Sequence, residues 1–193
     1  MGTRGLYGIR KNGVDKTTYN HYDSYPDGLG RDIIKFAVTH TVEQISTLYD
    51  HIEMINEEKL PTSEQIALCK KYANPDFSVS NQSPYDWYCL TRGLQGDLQR
   101  AYFMVLNCGI TYMMDGRDFI LDSLYCEYAY IINLDTGNLE YFMGFQHKPQ
   151  RGNRYGTETT YKEYYPCKLV AKYPLAEIES IDKVVESMNR KRG

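Results

Sequence analysis

Residues 19–30 read Tyr-Asn-His-Tyr-Asp-Ser-Tyr-Pro-Asp-Gly-Leu-Gly, a run in which His21 and Asp23 stand two apart among Tyr19, Asn20, Ser24 and Tyr25. If an extended strand continues that far, alternate side chains share a face, and the imidazole and carboxylate point the same way. A carboxylate beside an imidazole can orient it for general-base work, and a His-x-Asp pair can also hold a metal. The plainer reading is that both groups bond the backbone of the turn announced by Pro26-Asp27-Gly28. Tyr19 and Asn20 add donors and acceptors, and Tyr25 adds an aromatic face. Such convergence beside a helix start suits a polar, tyrosine-lined pocket for a small, nucleotide-like ligand.

Gly28-Leu29-Gly30 invites a second reading, because the free N–H groups of a helix N-terminus attract anions. The full phosphate-loop pattern Gly-x-x-x-x-Gly-Lys-Ser/Thr is absent, and Asp27 and Asp32 stand where an anion would come, so plain turn chemistry is the stronger reading. Arg4 is a cation able to meet a phosphate, with Asp23 or Asp27 as its structural alternatives. Arg151 and Arg154, in the polar stretch 147–160, could also touch phosphate, although most such stretches are solvated loops.

A terminal threonine can use its own amine as a base. Removal of the initiator methionine would leave Gly2 first, so Thr3 could act only after a further cleavage. Cys69, Cys89, Cys108, Cys126 and Cys167 are unevenly spaced with no Cys-x-x-Cys, which predicts reduced, mostly buried thiols. With four histidines and no nucleophile–base pair at adjacent positions, binding is favoured over catalysis, and no metal or cofactor is expected.

Positioning falls first to a hairpin, in which residues 6–10 return over 14–19 through the Asn12-Gly13 turn signal. From about Gly30, Ile34, Val38, Thr41, Ile45, Leu48, Ile52 and Ile55 step by three or four. That spacing predicts one long amphipathic helix, with Glu43, Asp50, Glu53, Glu57 and Glu58 on an acidic side. Thr62-x-x-Gln65 resembles a capping box opening a helix to about Tyr72, Ser83-Pro84 a start for a helix to about Arg92, and another runs from Asp97 to Leu106. Strands over 125–134 and 139–146 flank a four-residue loop at 135–138. Cys126, Tyr128, Tyr130, Ile132 and Leu134 line one face, continued by Leu139, Tyr141, Met143 and Phe145, while Ala129, Ile131 and Phe142 line the other. A last strand over 167–173 and a closing helix marked by Ile178, Ile181, Val185 and Met188 precede a basic end at 189–193. The prediction is a single layered α+β domain over 1–193: hairpin and motif 3–30, helical middle 31–108, β-rich part 110–173 and C-terminal helix 177–189.

At 193 residues and 42% hydrophobic content the chain can bury a substantial core, while a net charge of −3 argues against general nucleic-acid binding. No apolar run approaches the ~20 residues that cross a bilayer. The basic and apolar segments of a secretion signal are missing, and Leu6 stands where myristoylation needs Ser or Thr. A cytoplasmic protein without a membrane partner is expected. Nineteen tyrosines against one tryptophan favour wet, half-buried surfaces that can stack bases or sugars, or form protein interfaces and homo-oligomers.

The opening MGTRGLYGIRKNG, the stretch YNHYDSYPDGLG and the segment CEYAYIINLDTGNLEYFMGFQ together resemble a family of uncharacterised proteins from bacteria, their phages and some fungi. The resemblance covers most of the chain, its marker carried here by His21, Asp23, Tyr25, Pro26, Gly28 and Gly30. A looser likeness, with patterns such as His-Trp-Asp-Gly-Tyr-Pro, is to phage accessory proteins, which implies a host-directed role. Some relatives carry Cys or Ser directly after Met, where this chain has Gly2. Three readings result. The chain is a small-molecule binder using Arg4, Tyr19, Asn20, His21, Asp23, Tyr25, Arg151 and Arg154; or a hydrolase using His21 and Asp23; or an inhibitor docking a host protein through the acidic helix face.

Overall fold

The computed structural model describes residues 2–159 and 162–192. Thr160, at the end of the predicted polar loop, and the terminal Gly193 lie outside the described residues. The first hairpin forms as its turn chemistry requires. Asn12 and Gly13 take positive φ (52° and 76°), the geometry of a tight two-residue turn, and join β1 (Gly5–Lys11) to β2 (Val14–Asn20).

The predicted long helix is instead three elements: α1 (Arg31–Thr39), α2 (Val42–His51) and the strand β3 (Ile52–Ile55). His40 leaves the helix in an extended conformation, and Thr41 caps α2 by a reciprocal box in which its hydroxyl accepts from the Gln44 N–H while the Gln44 side chain accepts from the Thr41 N–H. Local capping therefore overrides a periodicity that runs straight through the break. The acidic residues are scattered with it: Glu43 lies on α2, Glu53 on β3 and Glu57 in the turn beyond, so no continuous acidic helix face exists.

The Thr62 box does open α3 (Ser63–Leu68), which continues as a wider turn to Ala73. Next comes α4 (Trp87–Thr91), capped by Asp86 rather than started at Ser83-Pro84, because the Asp86 carboxylate accepts from the Tyr88 and Cys89 N–H groups. Asp97 caps α5 (Leu98–Cys108), and β4 (Thr111–Met114) runs parallel to β3 as an unanticipated two-stranded sheet. The chain closes with β5 (Tyr128–Asn133), β6 (Asn138–Met143), β7 (Lys168–Pro174) and α6 (Ile181–Arg190).

The main sheet has the order β2-β1-β5-β6-β7, antiparallel except for the central β1–β5 pair. Its inner face carries Tyr7, Ile9, Tyr128, Tyr130, Ile132, Leu139 and Tyr141 against α1, α2, α5 and α6. The outer face carries Leu6, Ala129, Ile131 and Phe142 against Ile120, Tyr155 and Cys167. A smaller core joins Trp87, Leu90 and Leu94 to Met104 and Tyr112. The alternation expected of β5 and β6 holds, with two exceptions. Cys126 precedes the strand and joins the outer core beside Cys167, and Phe145, at φ 56°, turns outward and is 53% exposed. All five cysteines are unbridged, and Cys108 alone is not fully buried.

On the outer face Glu140 is 1% exposed and accepts from Arg154 (2.5 Å) and Asn133 (3.0 Å). Arg154 also approaches Asp15 at 3.6 Å, so this predicted phosphate contact instead pins the long loop to the sheet. Arg154→Met should destabilise the fold by about 3 kcal/mol, because a buried carboxylate is left with only the half-exposed Lys172, 4.0 Å away, as its cation. Urea unfolding should show that loss, and Glu140→Leu in the same chain should recover most of it.

Candidate functional site

The motif is a loop folded on itself. Strand β2 ends at Asn20, whose side-chain amide donates to the Tyr22 carbonyl and to the Ser24 hydroxyl (2.8 Å). Asp23 takes a left-handed conformation (φ 49°), and its carbonyl accepts from the Leu29 N–H at 2.8 Å. The N–H groups of Gly28 and Gly30 donate to the Tyr25 carbonyl. With these N–H groups engaged inside the loop, Gly28-Leu29-Gly30 offers no anion cradle. Gly28 is there for contact, since a Cβ would collide with the Asp23 carbonyl. From the sheet below, the buried Tyr130 hydroxyl donates to the Ser24 carbonyl at 2.9 Å.

Facing this loop is a strap, residues 92–97, between α4 and α5. Tyr7, 2% exposed, holds it: the hydroxyl donates to the Leu94 carbonyl (3.0 Å) and accepts from the Gly96 N–H (2.8 Å). Gly93 lets the strap meet the Ala73 and Asn74 carbonyls, which any larger residue would strike. Between loop, strap and α1 lies a cleft of about 740 Å³. Asn20, Tyr22, Asp23 and Tyr25 line it from the motif, Asp32, Lys35 and Phe36 from α1, and Arg92, Gln95, Asp97 and Gln99 from the far side, with Asp76 at one end. Burial pushes the Asp32 carboxyl above its usual range, and the charge of Asp97 across the cleft adds to this.

Arg4, Tyr19 and His21 stand on a shoulder beside the cleft rather than in it. The Gly5–Asn20 pairing, taken one step further, brings Arg4 next to His21. The Tyr19 hydroxyl bonds His21 Nδ1 at 2.6 Å, and the imidazole meets the Tyr22 ring edge-on with centroids 4.3 Å apart. Arg92 lies over Tyr22 at 5.0 Å and Tyr88 at 5.5 Å, so Tyr22 and Arg92 belong to both cleft and shoulder. Arg4 sits over Tyr125 at 4.6 Å. Burial, then Arg92 and Arg4, lower the pKa of His21, because each opposes a positive ring.

Of the residues singled out from sequence, Asn20, Asp23 and Tyr25 line the cleft, Arg4, Tyr19 and His21 form the shoulder, and Arg154 and the exposed Arg151 contribute to neither. His21 and Asp23 part company because β2 stops at Asn20 and its alternation stops with it. Arg92, Asp32 and Asp97 are the residues that sequence reading missed. The Gly93-x-x-Gly96 spacing beside Arg92 was a visible signal, but it reads equally well as a helix break. Among the described residues no three His, Cys, Asp or Glu side chains cluster to hold a metal, and no helix is long and apolar enough to cross a membrane. Comparison of the chain with protein-family models, curated proteins and solved structures finds no match in any of the three.

Tyr7→Phe should cost about 1–3 kcal/mol, since the Gly96 N–H loses its buried partner and the Leu94 carbonyl keeps only the Asp97 N–H. Hydrogen exchange should then quicken over 92–97 more than over the central strands. For His21, a folded-state pKa below 6.5 means that the unfolded chain takes up the proton first. The stability tied to this ring is fully present above 6.5 and is lost as the pH falls from there through the lower folded value. An imidazole NMR titration should find the depressed pKa, and Arg92→Gln should move it back up.

Proposed function

We propose that the chain binds a small, flat, polar molecule of nucleotide-like character in the cleft between the motif loop and the 92–97 strap. The observation that carries this reading is the motif itself. Asn20, Tyr22, Asp23 and Tyr25 of the stretch 19–30 form one wall of a cleft of ligand size, and Arg92 faces them from another segment of the chain. Tyr22, Tyr25 and Phe36 supply aromatic surface, while Asp23, Asp32, Asp76 and Asp97 accept hydrogen bonds from hydroxyl and amino groups.

Two competing readings find less support. A His21–Asp23 hydrolase needs those groups in contact, yet Tyr19 takes His21 Nδ1 and Asp23 faces the cleft. An inhibitor docking by an acidic helix face loses that face to the break at His40-Thr41.

Native mass spectrometry of protein purified from cells should find a retained small molecule, and calorimetry with nucleosides and nucleotides should find a ligand. Gln99 is an exposed residue on the cleft wall, so Gln99→Trp fills the space without disturbing the core. It should weaken binding by at least about tenfold, or 1.4 kcal/mol, whereas Glu57→Gln should leave it unchanged. Equal affinity in Gln99→Trp and the natural chain would remove the cleft from the argument.

A further inference from the structure

We propose that Arg4 and Arg92 form a two-armed anion site around His21 at the mouth of the cleft, so that the ligand is a phosphate monoester. This deepens, and rests on, the reading of the cleft as a ligand site. The argument starts from what the arginines touch. Arg10, Arg31, Arg100, Arg117 and Arg154 each face a carboxylate. Among the described residues Arg4, Arg92, Arg151, Arg190 and Arg192 have no carboxylate at ion-pair distance, and of these Arg4 and Arg92 are the two whose charge reaches His21. The charge of these two is braced by aromatic faces, Tyr125 for Arg4, and Tyr22 and Tyr88 for Arg92, which also donates one guanidinium N–H to the Gln95 side chain. A guanidinium fixed by a ring keeps N–H groups free for an incoming anion.

The nearby acidic groups each have one oxygen engaged elsewhere, and Asp76 also feels the charge of Arg92. One Glu127 oxygen accepts the Arg4 backbone N–H at 3.2 Å, and Asp76 accepts from the Ser78 N–H (2.9 Å) and hydroxyl (2.6 Å). The Tyr19 hydroxyl occupies His21 Nδ1, which leaves Nε2 as the imidazole's remaining donor position. Two guanidinium forks and one ring nitrogen suit a group with three strong acceptor oxygens, which a phosphate monoester supplies.

Charge also divides along the cleft. Its body carries Asp23, Asp32, Asp76 and Asp97 with Lys35, while the two arginines stand where it meets the shoulder. A molecule matched to this gradient is anionic at one end and rich in hydroxyl or amino donors along the other. A doubly charged phosphate beside His21 favours the protonated ring, so affinity should rise as the pH falls toward 6.5, opposite to the effect of Arg4 and Arg92 alone. Tyr19, Tyr22, Tyr88 and Tyr125 complete the surroundings.

The test follows the His21 ring by NMR during titration with inorganic phosphate and, separately, phenyl phosphate, at ionic strength held constant with sodium chloride. The expected result is a saturable shift and a raised His21 pKa with both probes, weakened at least about tenfold in Arg4→Gln and in Arg92→Gln. Arg4→Lys and Arg92→Lys, which keep the charge, should retain part of the effect if the Gln variants fail to fold. No saturable shift, or the same shift in the natural chain and all four variants, overturns the anion site whatever the cleft binds. Gln99→Trp separates the two readings. Loss of phenyl phosphate with inorganic phosphate retained supports both, and equal retention of both probes leaves the anion site standing while removing the cleft.

Discussion

A phenolic hydroxyl carried into an apolar core has to find a hydrogen-bond partner, and in this molecule that requirement shapes the site. Tyr7 and Tyr130 lie on the inner face of neighbouring strands in the sheet, and their rings belong to the main core. Their hydroxyls reach past it, one to the Leu94 carbonyl and Gly96 N–H, the other to the Ser24 carbonyl. Neither segment is part of the sheet or of an α-helix, and without the two hydroxyls the Ser24 carbonyl and the Gly96 N–H would lose their partners. One rigid element thus fixes both walls of the cleft, and the cleft's width follows from the spacing of β1 and β5. A site on irregular backbone gains the precision of a sheet in this way.

The sheet's two faces serve different ends. The inner face is aromatic and anchors the helical layer and the cleft. On the outer face, Asp15, Glu140 and Arg154 form a charged cluster over the apolar patch of Leu6, Ile131 and Phe142. Ion pairs at this depth contribute little net stability, but they select a single seat for a long loop poor in apolar residues. The arginines at the cleft mouth differ in kind, because rings rather than carboxylates position them.

How much of this was legible in the sequence depended on the range of the signal. The Asn12-Gly13 turn, the alternation of Tyr128 to Tyr141 and the box at Thr62 are local, and each appears in the structure. The break at His40-Thr41 was local too, since Thr41-x-x-Gln44 is a capping pattern, but an unbroken apolar periodicity masked it. Strands β3 and β4 are only four residues each and pair across a long separation, which periodicity cannot register. Of the motif's crowded polar residues, Asn20, Asp23 and Tyr25 line the cleft. The opposite wall was out of reach, because nothing near Arg92 states that the chain will fold Tyr22 beneath it.

The parallel pairing of β1 with β5 carries a consequence for biosynthesis. Gly5 lies beside Tyr128, so β1 cannot fill its second edge until the whole helical middle and β4 have been translated. The early hairpin must therefore wait with an open edge and an exposed apolar face, the condition in which chains aggregate or pair wrongly. Long-range parallel contacts of this sort also form slowly. Because Tyr130 sits on β5, the motif loop receives its anchor only at that late step, and the cleft is among the last features of the molecule to take shape.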